Sequence, residues 1–255
     1  MMNNSTTRFS SRVDNYIKYR PAYPPEVIDV LKKQCGLTED SIVADIGSGT
    51  GILTELFLRN GNMVYGVEPN KEMREAGERL LSGYPNFKSI TGTAETTTLP
   101  DHSIDIIAAG QAFHWFDRAL CRNEFARILK SGGWVALIWN LRKTIDTPFL
   151  SAYQELLHTY GTDYAAVDHA QIGMDIIKTF FAPNPVSLAT LPNEQVFDLD
   201  GLRGRLLSSS YTPEPGDPRY GPMLKELGNI FNIYQVNGKV HFEYDTNVYY
   251  GKLEK

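Results

Sequence analysis

Cysteine is scarce in this chain of 255 residues: there are two, Cys35 and Cys121. They give neither a paired framework nor a metal-ligand spacing, and both fall in helical patterns, so they read as small core residues in a reducing compartment. No apolar run approaches the roughly 18 residues of a membrane span. The start, MMNNSTTRFSSR, has no apolar centre for a signal peptide. These readings place the protein in the cytoplasm. Positive charge is not in excess either. The net charge is −5 and no basic run or helix face offsets it, so neither a phosphate backbone nor an anionic membrane is an expected partner. The histidines show no metal-ligand spacing, and no metal is expected.

What is present is an alternating pattern. Pro24 and Pro25 open a helix of about ten residues that stops at Gly36. Short apolar strands are expected at 42–46, 63–67, 87–91, 104–109 and 134–140. Helices fall between them at 51–60, 71–82 and 118–130. Strands alternating with helices at this spacing imply a parallel sheet covered on both faces. After Asn140 the rhythm breaks. Residues 147–181 read as helical, 186–197 as a strand kinked at Pro192, and 199–209 and 222–234 as helices. From 240 to 250 the residues alternate, with Val240, Phe242 and Tyr244 on one face and His241, Glu243 and Asp245 on the other. That suits an antiparallel strand.

The segment Val43 to Gly51, VADIGSGTG, leaves a buried strand and enters a helix. Glycines let the backbone turn sharply and approach a ligand. Three details narrow the ligand. Asp45 stands at the strand end, where a carboxylate repels a pyrophosphate and attracts an ammonium group. The third glycine of a dehydrogenase fingerprint is replaced by Ile52. Glu68 ends the second strand about twenty residues beyond Gly47, a distance suited to ribose hydroxyls.

On these residues the chain resembles the class I S-adenosylmethionine-dependent methyltransferases, specifically the small-molecule type 11 group. VADIGSGTG is similar to that family's first motif and VYGVEPN (64–70) to its second, and the resemblance runs from about residue 9 to 141. It implies an α/β, doubly wound, mostly parallel seven-stranded sheet, Rossmann-like, with the last strand antiparallel and helical cap insertions. The expected division is a lid at 1–23, a cofactor-binding core at 24–141, cap and substrate elements at 142–235 with a return strand near 186–197, and the final strand within 236–255. The implied cofactor is S-adenosylmethionine, with S-adenosylhomocysteine as product. Asp45, Gly47, Ser48 and Gly49 are implied to hold the methionine part, and Glu68, with Pro69 beside it, the ribose. At the adenine the family's Gly-Asp-Ala-Glu reads Gly92-Thr93-Ala94-Glu95 here. Either Glu95 takes that contact or Thr93 and the Ala94 amide do.

The loop QAFHWFD (111–117) follows the fourth strand and faces the same crevice. Gln111 is expected on the cofactor and Trp115 and Phe116 near the acceptor, since an aromatic face stabilises a sulfonium charge. His114 is the candidate to orient the acceptor or remove its proton. In the lid, Tyr16 and Arg20 are expected over the cofactor together with Tyr19, Arg20 as a fork for a carboxylate. In RGRLLSSSYTP (203–213), Arg205 and Tyr211 are candidates for a carboxylate-bearing small-molecule acceptor; helix-then-turn chemistry explains the serines equally well. The function expected is methyl transfer to a small molecule. The alternatives are a protein that binds the cofactor without turnover and a nicotinamide-dependent oxidoreductase. The oligomeric state is not legible.

Overall fold

The computed structural model describes residues 17–162, 164 and 173–253. Its sheet has seven strands: β1 (Ile42–Ile46), β2 (Met63–Val67), β3 (Phe87–Ile90), β4 (Ile104–Gly110), β5 (Leu129–Arg142), β6 (Val186–Phe197) and β7 (Val240–Gly251). Their order is β3-β2-β1-β4-β5-β7-β6. The pairs from β3 through β5 are parallel, and β7 runs antiparallel to both β5 and β6. This is the doubly wound, mostly parallel sheet expected, with the last strand antiparallel.

Two helix layers cover the sheet because its strands are apolar on both faces. Val43, Ile106, Ala108 and Ala136 pack with α1 (Glu26–Cys35) and α2 (Ile52–Arg59), through Val27, Leu31 and Phe57. Ala44, Ile46, Ile107 and Leu137 face the other way, toward α4 (Arg118–Ile128) and α6 (Met174–Phe181), through Phe125, Ile128, Phe180 and Phe181. Each fully buried side chain of this size contributes about 1.5–3 kcal/mol. Between β2 and β3 runs α3 (Lys71–Leu80), started by Asn70, whose side chain accepts the Met73 N–H at 2.9 Å.

A third core lies beside the sheet. There α5 (Pro148–Tyr160), α7 (Leu199–Leu207) and α8 (Tyr220–Tyr234) enclose Leu150, Tyr153, Leu202, Leu206 and Leu227 against Val240, Phe242 and Tyr244 of β7. Strands β6 and β7 have 12 residues each against five in β1 and β2, and the helices sit on the extra length.

Two local expectations are corrected. The helix expected to 130 ends at Ile128, because Leu129 is already extended (ψ 135°) and pairs with Ile104 in the sheet. The kink expected at Pro192 is not present: Pro192 sits opposite Asp245 in an unshifted ladder. An edge strand tolerates proline because one side of it needs no donor. Both cysteines are buried, and burial pushes the Cys35 thiol up to about 12. Among the described residues no helix is long and apolar enough to cross a membrane.

Candidate active site

The strand order reverses at β1: the chain moves outward through β2 and β3, then crosses back to β4. The crevice above such a reversal is where open α/β sheets bind ligands. It is formed here by the turn after β1 and the loop after β4. Gly47, Gly49 and Gly51 all have positive φ (71°, 57° and 89°), the left-handed region that favours glycine. At Gly47 an added Cβ would lie 2.6 Å from the Ala112 Cβ, with the Phe116 ring at 3.6 Å. The turn after β1 is therefore packed directly on the loop after β4.

Arg20, Asp45, Gly47, Ser48, Gly49, Gln111, His114, Trp115 and Tyr211 line one cleft of about 780 Å³, counted to its open mouth. Nine residues predicted from sequence are thus brought together. Phe116 lies beneath the glycine turn, and Tyr16 falls outside the described residues.

Asp45 is the chemical centre of this cleft. It is 1% exposed. Its Oδ2 accepts the Thr54 hydroxyl at 2.6 Å, and its Oδ1 has no partner among the described residues. Burial, only partly opposed by the Thr54 hydrogen bond, pushes its carboxyl up to about 7, with the Glu68 charge adding to the rise. Two further buried oxygens in the same lining are without partners among the described residues, Thr50 Oγ1 and Gln111 Oε1. Gln111 is held in a left-handed conformation (φ 53°), with its Nε2 donating to the Asn140 carbonyl at 3.2 Å. Backbone strain of this kind concentrates at ligand sites. The sequence reading missed Thr50; a threonine between two glycines gives no signal of its own.

The other predicted cofactor residues lie beside the cleft. Glu68 Oε2 accepts the Gly49 N–H at 2.9 Å and Oε1 the Asn70 N–H at 2.8 Å, so this carboxylate fixes the turn after β1 to the end of β2. Burial raises its pKa, opposed by those two backbone bonds. Thr93 is exposed and Ala94 buried, and Glu95 accepts the Asp117 N–H at 2.8 Å, tying its loop to the start of α4. None of these three, nor Glu68 or Pro69, is among the cleft-lining residues.

Tyr19 packs on α7 rather than in the cleft: a Cβ at Gly204 would meet its ring at 2.1 Å. The strap from Tyr19 to Ala22 is tied down by polar contacts. Gln195 donates to the Tyr19 carbonyl (3.2 Å), Arg20 to the Ser208 carbonyl (3.1 Å), and Asn193 and Asn140 to the Ala22 carbonyl (2.8 and 3.2 Å). Arg205 also lies outside the cleft lining. It is buried, with Nε on the Tyr244 hydroxyl (3.3 Å) and Nη1 on Ser209 Oγ (3.1 Å).

Comparison with known proteins agrees with this geometry. The family described as "Methyltransferase domain", of type 11, matches residues 44–137. An uncharacterized methyltransferase of Mycobacterium tuberculosis is 40% identical over 134 residues, 52% of each chain. An uncharacterized methyltransferase of Schizosaccharomyces pombe is 32% identical over 150 residues, 58% of each chain. The chain spans about half the length of the curated relatives it matches first. Among solved structures, a candidate type II methyltransferase from Anaeromyxobacter dehalogenans superposes with a TM-score of 0.69 at 20% identity, covering 93% of this chain and 100% of that one. A candidate methyltransferase from Anabaena variabilis does so with 0.63 at 19% identity, covering 92% and 99%. At that identity the likeness bears on the fold alone. With its glycine turn and its strand order, the stretch 44–137 is similar to the type 11 methyltransferase domain family, whose cofactor is S-adenosylmethionine.

Proposed function

We propose that the protein transfers a methyl group from S-adenosylmethionine to a small-molecule acceptor that bears a carboxylate. The observation that carries the cofactor reading is the set of three buried, unpartnered oxygens in one lining: Asp45 Oδ1, Thr50 Oγ1 and Gln111 Oε1. Buried polar atoms are rarely left without partners. An ammonium brings three donors and a charge opposite to that of Asp45. The amino end of S-adenosylmethionine fits this set. A pyrophosphate does not, because the carboxylate would repel it.

When bound, the cofactor supplies a methyl group on a sulfonium whose leaving group is a neutral thioether. The residues of the chain do the rest. Asp45, Thr50 and Gln111 hold the amino end. Gly47 and Gly49 allow the backbone to approach it. Glu68 keeps the turn in shape through Gly49, and Pro69, Thr93, Ala94 and Glu95 are proposed for the ribose and adenine side. Trp115, in the cleft lining, supplies an aromatic face to the sulfonium charge, and Phe116 supports the turn from beneath. Arg20 and His114 border the space beside it, His114 placed to orient the acceptor. Arg205 and Tyr211 are assigned to the acceptor's carboxylate. Alignment and exclusion of water account for most of the rate gain in such a displacement. A carboxylate oxygen that accepts the methyl needs no base.

Thermal unfolding with S-adenosylmethionine, S-adenosylhomocysteine and NAD tests the reading. A ligand that binds only the folded state raises Tm. The first two are expected to raise it and NAD to leave it unchanged. A rise with NAD alone would overturn the assignment. A rise with the first two but no turnover across a panel of small carboxylic acids would favour a binding protein without catalysis.

A further inference from the structure

The third core holds positive charge that no carboxylate among the described residues balances. Arg205 is 6% exposed, and it donates to two hydroxyls, those of Tyr244 and Ser209. Arg142, at the end of β5, donates to Gln154 Oε1, to the Tyr164 hydroxyl (3.3 Å) and to the Lys143 carbonyl (3.4 Å), all neutral. Among the described residues neither arginine has a carboxylate within ion-pair distance. The nearby acids are taken instead by Lys143, which faces Asp146, Glu243 and Asp245.

Between the two arginines is Tyr153, 1% exposed. The Arg142 guanidinium stands 5.1 Å from the Tyr153 ring centroid, and the Tyr153 hydroxyl, fully buried, has no partner among the described residues. Burial raises the Tyr153 phenol pKa, with the charges of Arg205 and Arg142 opposing the rise. Tyr211 feels the same charges. Burial pushes its phenol up, yet the guanidiniums of Arg205, Arg20 and Arg142 leave it below its ordinary value. Tyr211 also lines the cleft, so the charged region adjoins the proposed methyl-transfer site.

A buried guanidinium without a counter-charge costs several kcal/mol, and a hydroxyl buried without a partner adds to that. Both costs are removed if a ligand brings the missing negative charge. We propose that Arg142, Arg205 and the Tyr153 hydroxyl form an anion subsite of the acceptor pocket, and that the acceptor carries two negative charges, as two carboxylates or as one phosphate. The inference rests on the methyltransferase reading for the word acceptor, but the subsite stands or falls by itself. Two guanidiniums call for a dianion, and planar forks suit both carboxylate and phosphate oxygens. The anionic groups serve as the anchor, because neither arginine is among the residues lining the cleft at the glycine turn.

The test is thermal unfolding of the full chain at constant ionic strength, with and without saturating S-adenosylhomocysteine. The titrants are succinate, inorganic phosphate, the monoanion butyrate and the neutral succinamide. A dianion is expected to raise Tm at millimolar concentration, with half-effect at least tenfold below that of butyrate and no effect from succinamide. Whether succinate or phosphate acts at the lower concentration separates the two dianion chemistries. Arg142→Gln is expected to raise the half-effect concentration at least tenfold, Arg142→Lys to restore part of it, and Tyr153→Phe to raise it a few-fold. Tyr153→Phe keeps the ring that packs the core, so it remains readable if an arginine variant fails to fold. The proposal is overturned if no dianion shifts Tm, or if the shift is the same in Arg142→Gln and Tyr153→Phe as in the parent. A missing S-adenosylhomocysteine shift alongside a dianion shift would remove the cofactor reading and leave the subsite.

Discussion

Asp45 is a carboxyl placed where the chain alone cannot satisfy it. Its pKa is raised from 3.8 to about 7, so folding is coupled to pH in a definite direction. Well below pH 3.8 it is protonated in both states. Between pH 4 and 7 the unfolded chain releases the proton and the folded chain keeps it, so this group lowers stability as pH rises through that window; above about 7 the loss levels off. An ammonium-bearing ligand needs the ionised form. The Tm gain from S-adenosylhomocysteine is therefore expected to be larger at pH 8 than at pH 5.5, and equal gains at both would count against Asp45 as the ammonium partner. Asp45→Asn should lose most of the gain while raising the unliganded Tm at pH 8 by about 2–4 °C, the equivalent of about 1 kcal/mol for a chain of this size. Asp45 was legible because a carboxylate two residues before a glycine turn has few other uses. Thr50 and Arg142 were not. The first has no sequence signal. The second acquires its setting from Gln154, Tyr153 and Tyr164, which only the folded chain brings to it.

At the level of elements, the five-residue strands β1 and β2 were legible to the residue, since an apolar run bounded by turn residues has few alternatives. The boundary between α4 and β5 was not. Leu129 and Lys130 continue a helical pattern, and pairing with β4 overrides it. The end of β5 also carries Asn140, whose buried amide joins three segments. Its Nδ2 reaches the Ala22 carbonyl at 3.2 Å, and its Oδ1 accepts from Thr246 at 2.5 Å and Asn193 at 3.1 Å. Asn140→Ala leaves those groups unsatisfied and should cost about 1–3 kcal/mol. The measurement is a urea midpoint that falls at unchanged slope. Because the same amide holds the strap at Ala22 and the neighbouring carbonyl holds Gln111, the variant should also weaken the S-adenosylhomocysteine shift.

For the whole molecule, the parallel half was readable from its alternation, whereas the third core depends on contacts between segments about a hundred residues apart, such as Phe149 with Phe242. Strand β7 belongs to both parts. Val248 packs in the sheet core and Val240, Phe242 and Tyr244 in the third core. The two are expected to unfold as one, with far-ultraviolet circular dichroism and tryptophan fluorescence giving coincident transitions. Separate midpoints would mean that the helices beside the sheet melt independently. The position of β7 has a bearing on synthesis as well. It is the latest strand along the chain, yet it lies between β5 and β6. Until the ribosome has released it, the growing polypeptide exposes two unfilled edges that face each other across the gap. Either edge is a template for a neighbouring nascent chain, so this is the interval in which a chaperone has most to protect.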